Sequence, residues 1–181
     1  VLFRNLDQER EEMYRRSIRD PLTGLYTRSY MWEATERLFS IHDRDSKAAV
    51  GLIMIDLDHF KQVNDTHGHN VGDLVLKTTA KHVMDNVRKG DIPVRLGGEE
   101  FCVFVLGDSL GDLKEVAEKL RVQVQKTPHS APVEALSVTA SFGIGVRKQK
   151  ESLNDWMKRV DAALYEAKKG GRNCIRIAKE Q

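Results

Sequence analysis

Two pairs of carboxylates stand where a strand pattern alone does not call for them. Asp56 and Asp58 follow the apolar run from Ala48 to Ile55, and Glu99 and Glu100 lie between the runs Ile92 to Leu96 and Phe101 to Leu106. Either pair alone reads as the solvated end of a strand or the tip of a hairpin. Together they read differently, because the tip of a central hairpin and the end of a neighbouring strand can converge. Clustered oxygens with no His or Cys partner suit Mg²⁺ or Mn²⁺ rather than zinc. Gly97 and Gly98, just before Glu99, leave room for a ligand to approach the backbone.

A second set is basic. Phe60 and Lys61 open a short helix just after Asp56, where free backbone N–H groups and the helix dipole favour a phosphate. Lys168 and Arg172 bracket Gly170-Gly171, the stop of the last long helix. Cations there also complement the helix dipole, so for these two a structural reading stays open beside phosphate binding. Carboxylates that hold a metal, basic groups and a helix N-terminus together describe a nucleoside triphosphate site. The sequence contains no G-x-x-x-x-G-K-[ST] loop, which excludes the P-loop class.

The elements that must position these groups follow from periodicity. Residues 1–19 are rich in charge and free of Gly and Pro, so they read as helix, with Phe3, Leu6, Arg10, Met13 and Ser17 in heptad rhythm. Two of those slots are polar, which makes a weak coiled coil, and Asp20-Pro21 ends the helix. Further helices are expected at Arg28 to His42, Phe60 to Asp65, Val71 to Val87, Leu113 to Lys126 and Leu153 to Lys169. Strands are expected at Ala48 to Ile55, Ile92 to Leu96, Phe101 to Leu106, Leu136 to Val146 and Asn173 to Ala178, the second and third forming a hairpin. This order predicts an α+β fold with a ferredoxin-like core, not a doubly wound sheet.

Composition bounds the reading. The chain has 181 residues, enough for about one domain with a core that needs no disulfide or structural metal. Its 29 basic and 27 acidic residues leave a net charge of +2, which argues against a dedicated duplex nucleic-acid binder. Cys102 and Cys174 stand far apart, excluding a disulfide framework and a Cys-rich zinc site and suiting a reducing compartment. No apolar run approaches the ~20 residues of a membrane helix. The chain begins with Val1 rather than Met, so it is expected to be a piece of something longer.

Gly97-Gly98-Glu99-Glu100-Phe101 is the GGEEF form of a motif that names a family. It is accompanied by Asp20-Pro21-Leu22-Thr23-Gly24-Leu25, Asp56-Leu57-Asp58-His59-Phe60-Lys61, Asn64-Asp65, Gly68-His69 and Gly72-Asp73. Ser141-Phe142-Gly143, Asp161 to Tyr165, and Lys168 through Asn173 complete the pattern in order and spacing. From Asp20 to Ile177 the chain resembles the GGDEF family of diguanylate cyclases.

That resemblance implies condensation of two GTP into cyclic di-GMP, with release of two pyrophosphates. It implies a palm-type nucleotide cyclase fold, whose central, mainly antiparallel sheet is expected to be five-stranded and flanked by helices. Asp56, the Leu57 carbonyl and Glu99 would ligate Mg²⁺ or Mn²⁺, with Glu100 as a further ligand or a phosphate-facing group. Asp56, Glu99 and Glu100 would thus form the catalytic set, Glu99 also being the family's candidate for assisting deprotonation of the attacking 3′-hydroxyl. Asn64 and Asp73 correspond to the guanine-reading pair. Lys168 and Arg172 would hold the β- and γ-phosphates with the backbone of Phe60 and Lys61, and Arg95 could reach the reacting phosphate. Arg88 and Asp91 form an R-x-x-D motif five residues before Gly97, where active cyclases often carry an inhibitory site for the product.

The same resemblance implies a homodimer, because one active site holds one GTP. Residues 1–19 would be a signalling helix severed from an upstream sensor and residues 20–181 the catalytic domain, cytoplasmic, with no nucleic-acid partner and no direct membrane contact. The full-length protein could be anchored through its missing part. The rival readings are a catalytically silent cyclic di-GMP receptor using Arg88 and Asp91, and a palm-type nucleotidyltransferase making mixed purine dinucleotides.

Overall fold

The protein is described by a computed structural model covering residues 2–45, 49–107, 109–128 and 136–180, with residues 2–5 described by backbone alone. Its elements run α1 (Leu2–Ser17), β1 (Tyr26–Thr27), α2 (Arg28–Arg44), β2 (Val50–Leu57), α3 (Phe60–His67), α4 (His69–Asn86), β3 (Ile92–Gly97), β4 (Glu100–Leu106), α5 (Leu110–Lys126), β5 (Ala140–Val146), α6 (Leu153–Lys169) and β6 (Ile175–Ile177). Among the described residues these strands form a single sheet of order β1-β3-β4-β2-β5-β6. The inner pairs are antiparallel, and β1–β3 and β5–β6 at the two edges are parallel. The α+β, mainly antiparallel expectation therefore holds.

The sheet has six strands rather than five. The added strand, β1, is two residues long, below the reach of any hydrophobic period. It exists because the turn after α1 doubles back: Asp20 N–H donates to Leu25 O at 2.7 Å and Thr27 N–H to Ile18 O at 2.9 Å. β5 begins at Ala140 instead of Leu136, since its partner β2 ends at Leu57, opposite Ala140. The connection expected over Thr66 to Asn70 shrinks to Gly68, whose φ of 86° lets α3 turn directly into α4. β6 is shorter than expected, and Ala48, the expected first residue of the central strand, lies outside the described residues.

β2 is buried at all eight positions because helices cover both of its faces. Ile53, Ile55 and Leu57 face a core built with Val71, Val75, Leu113 and Leu120 from α4 and α5. Leu52 and Met54 point the other way, into a core made with Met31 of α2 and Trp156, Val160 and Leu164 of α6. Burying side chains of this size contributes roughly 1.5–3 kcal/mol each. Trp156 also satisfies its indole N–H, donating to Gly145 O at 3.2 Å. Close approach of α6 requires Gly143: a Cβ there would fall 2.7 Å from Leu164 N and closer still to Val160 O. Leu6 and Met13 of the α1 stripe are exposed at 56% and 67%, so among the described residues these two side chains stay open to solvent.

Candidate active site

Side-chain alternation along β2 decides what Asp56 can meet. It shares the face of Leu52 and Met54, the face on which α6 packs. Opposite it stand Glu100 of β4 on one side and Ser141 of β5 on the other. Directly paired residues lie on the same face, so Glu100 and Asp56 look toward one region. Lys168, in the last turn of α6, reaches down and places Nζ 2.6 Å from Asp56 Oδ2. Asp56 is 4% exposed. Burial pushes its carboxyl up to about 6, with the Lys168 ammonium pulling down and the charges of Glu99 and Glu100 adding to the rise.

Glu99 and Glu100 are carried by the β3–β4 turn. Gly97 and Gly98 both take positive φ, 145° and 51°, and the ladder register shifts there. Arg95 holds the turn from below: Nε and Nη2 donate to Gly98 O at 3.1 and 2.9 Å, while Nη1 donates to both carboxylate oxygens of Asp20 at 3.2 and 3.1 Å. Its guanidinium is thus engaged at both ends, by Gly98 O and by Asp20. The same contacts, with the Thr23 amide and hydroxyl, hold the Asp20 carboxyl below its ordinary range against the opposing effect of burial. Leu57 N–H donates to Glu99 O at 3.3 Å, tying the turn to the end of β2.

Asp58 differs from its neighbour. It accepts from Ser141 Oγ and Thr139 Oγ1, each at 2.7 Å, and from Asn173 N–H at 3.0 Å. His59 then takes a left-handed conformation (φ 54°) and offers α3 no side-chain cap, leaving the first-turn amides near Phe60 and Lys61 without that partner. The Lys61 ammonium points to solvent, 3.5 Å from Asp65. Asn64 packs against α4 where Gly72 leaves space, since a Cβ at position 72 would collide with the Asn64 amide oxygen. Asp73 follows on the exposed side of α4. Arg172 lies in the turn beyond α6 with φ 64°, its N–H donating to Ala167 O.

Two neighbouring carboxylate-bearing strand ends, a helix start and a cationic helix end therefore lie at one end of the central strands. A chain with this constellation and topology has close counterparts. The family model described as "Diguanylate cyclase, GGDEF domain" matches residues 17–174. The chain belongs to the GGDEF family. The response regulator PleD of Caulobacter vibrioides is 37% identical to this GGDEF domain over 179 residues, which is 96% of this chain and 38% of PleD. Diguanylate cyclase DgcP of Pseudomonas aeruginosa is 36% identical over 168 residues, 93% of this chain and 25% of that protein. The chain thus spans well under half the length of these curated relatives. Among solved structures, the coiled coil and GGDEF domain of DgcB from Caulobacter crescentus, in complex with c-di-GMP, superposes with a TM-score of 0.91 at 30% identity. It covers 97% of this chain and 93% of that one.

The GGDEF residues fit a hard divalent cation by their donor chemistry. All candidate donors are oxygens, and the Lys168 ammonium on Asp56 shows that this position accepts positive charge. Among the described residues no three His, Cys, Asp or Glu side chains are grouped closely enough to cage an ion. Arg88 and Asp91 of the R-x-x-D motif lie apart, between α4 and β3. Asp91 already serves the backbone, accepting from Arg88 N–H at 2.7 Å and Leu106 N–H at 3.1 Å.

Proposed function

We infer that this domain is a diguanylate cyclase that condenses two GTP into cyclic di-GMP and releases two pyrophosphates. The observation that carries the reading is the convergence of buried Asp56, its strand partner Glu100 and the Lys168 ammonium at one end of the central strands. Asp56, the Leu57 carbonyl and Glu99 would hold Mg²⁺ or Mn²⁺, with Glu100 beside them. Bound there, the ion would neutralise phosphate charge and acidify the attacking 3′-hydroxyl.

The chain's own groups do the rest. Lys168 and Arg172 grip the β- and γ-phosphates, helped by the uncapped amides at Phe60 and Lys61. Asn64 and Asp73 read guanine: an ionised Asp73 accepts from both N1–H and N2–H₂, a donor pair that adenine lacks. The 3′-oxygen of one nucleotide attacks the α-phosphorus of the other and the bond to pyrophosphate breaks. Glu99 is the candidate for receiving the hydroxyl proton. Because one site holds one GTP, two protomers face each other with antiparallel nucleotides. Residues 1–19 act as the signalling helix that sets this geometry, and residues 20–181 form the catalytic domain. Among the described residues no helix is long and apolar enough to cross a membrane, and a GTP-consuming domain works in the cytoplasm.

Arg88 and Asp91 form the inhibitory product site in this reading. With the Asp91 carboxylate serving two backbone amides, Asp91 shapes the loop and Arg88 supplies stacking or Hoogsteen pairing to guanine. Incubation with GTP, ATP or both in Mg²⁺, followed by chromatography, tests the function. Cyclic di-GMP from GTP alone is expected. No product would favour the silent receptor, and a mixed dinucleotide would overturn the Asp73 assignment.

A further inference from the structure

The turn that carries Arg172 needs an external hold. Arg172 and Asn173 are consecutive non-glycine residues in the left-handed region, φ 64° and 44°, preceded by Gly171 at 112°. Two side chains from elsewhere reach this turn. Arg121 of α5 donates to Asn173 Oδ1 at 2.7 Å from one side. From the other, Asp58 accepts the Asn173 backbone N–H at 3.0 Å.

Asp58 is built into its place. It is 3% exposed, and its oxygens receive Ser141 Oγ, Thr139 Oγ1 and Asn173 N–H, all neutral donors. Its own N–H donates to Thr139 O at 2.8 Å. Burying a carboxylate without a cation among these contacts is costly, and a neutral group could fill the space. What the carboxylate supplies is a rigid link. It sits two residues beyond Asp56 and touches the residue after Arg172, so it spans from the carboxylate strand to the cationic turn.

We propose that Asp58 is the positioning residue that fixes the Arg172 turn, and with it the phosphate grip, relative to Asp56 by holding the Asn173 backbone. The proposal rests on the reading of Lys168 and Arg172 as binders of the β- and γ-phosphates. Asp58 touches no reacting atom; it acts through Asn173.

The test compares binding of α,β-methylene GTP and GMP, in Mg²⁺, by calorimetry. Asp58→Ala is expected to lower the preference for the triphosphate about 10-fold or more while sparing GMP affinity. Asp58→Asn is expected to restore most of it, because an amide oxygen can accept from Thr139 and Asn173 while its NH₂ donates to a rotated Ser141 hydroxyl. An unchanged preference in Asp58→Ala, an equal loss of both nucleotides, or an Asp58→Asn as impaired as Asp58→Ala overturns the proposal. Arg121→Ala decides the matter even if Asp58→Ala does not fold. It should keep the preference within about 3-fold, and a 10-fold loss would assign the hold to Arg121 instead. If the unaltered protein itself binds GTP analogue and GMP alike, the phosphate-grip reading fails and Asp58's part falls with it. A preference that survives Asp58→Ala overturns Asp58's part alone.

Discussion

Lys168 Nζ sits 2.6 Å from Asp56 Oδ2, so the carboxylate assigned to a metal is paired with the ammonium assigned to phosphate. The two groups hold each other. Even so, the pairing does not repay burial in full, since the Asp56 carboxyl remains pushed up to about 6.

The sign of that shift gives the first prediction. A carboxyl raised in the folded state binds its proton more tightly there than in the unfolded chain, so folding stability falls as pH rises from about 4 to about 6. Asp56→Asn mimics the protonated form. In chelator it should melt higher than the unaltered protein at pH 7.5, by at most ~3 kcal/mol, and match it below pH ~4, while losing turnover. Thermal melts at the two pH values check this, and a lower melting point at pH 7.5 would contradict it.

Glu99→Gln and Glu100→Ala should each lower cyclic di-GMP synthesis by about 100-fold or more. Glu100 is exposed and Glu99 half-buried at a turn held by Arg95, so neither change should unfold the domain. Product chromatography beside a melting curve separates the two effects. Synthesis at the normal rate would sink the metal assignment.

Gly72→Ala should stabilise α4 by propensity, about 1 kcal/mol for an unhindered helix position, yet its Cβ would drive into the Asn64 amide oxygen. The expected outcome is roughly a 10-fold loss of kcat/KM for GTP with discrimination against ATP reduced. Retained specificity would remove Asn64 from guanine reading.

Arg88→Ala should weaken cyclic di-GMP binding about 10-fold or more, measured by calorimetry on the inactive Glu99→Gln background. Asp91→Ala is a poorer probe, because it also strips the Arg88 and Leu106 amides of their acceptor, at about 1–3 kcal/mol. Undiminished binding in Arg88→Ala would dismiss the product site.

Much of the site was legible because its groups announce themselves locally. The apolar run of β2 ends in Asp56, and a glycine pair between two apolar runs marks the hairpin bearing Glu99 and Glu100. Helical periodicity likewise located α5 and α6, whose Ser109 and Ser152 caps accept from Asp112 and Asp155 amides. What escaped was non-local. β1 is too short for a pattern and is defined by its pairing with β3. Asp58 looks like a second solvated acid until Thr139 and Asn173, 81 and 115 residues away, are seen to converge on it. The partner of Arg95 was likewise out of local view, Asp20 lying 75 residues away.

The Arg95 guanidinium has a mechanical consequence. It clasps Asp20, at the foot of the incoming helix, and the Gly98 carbonyl, one residue short of Glu99 and Glu100. The foot of α1 and the glutamate-bearing turn are therefore joined twice, by this one side chain and by the backbone pairing of β1 with β3.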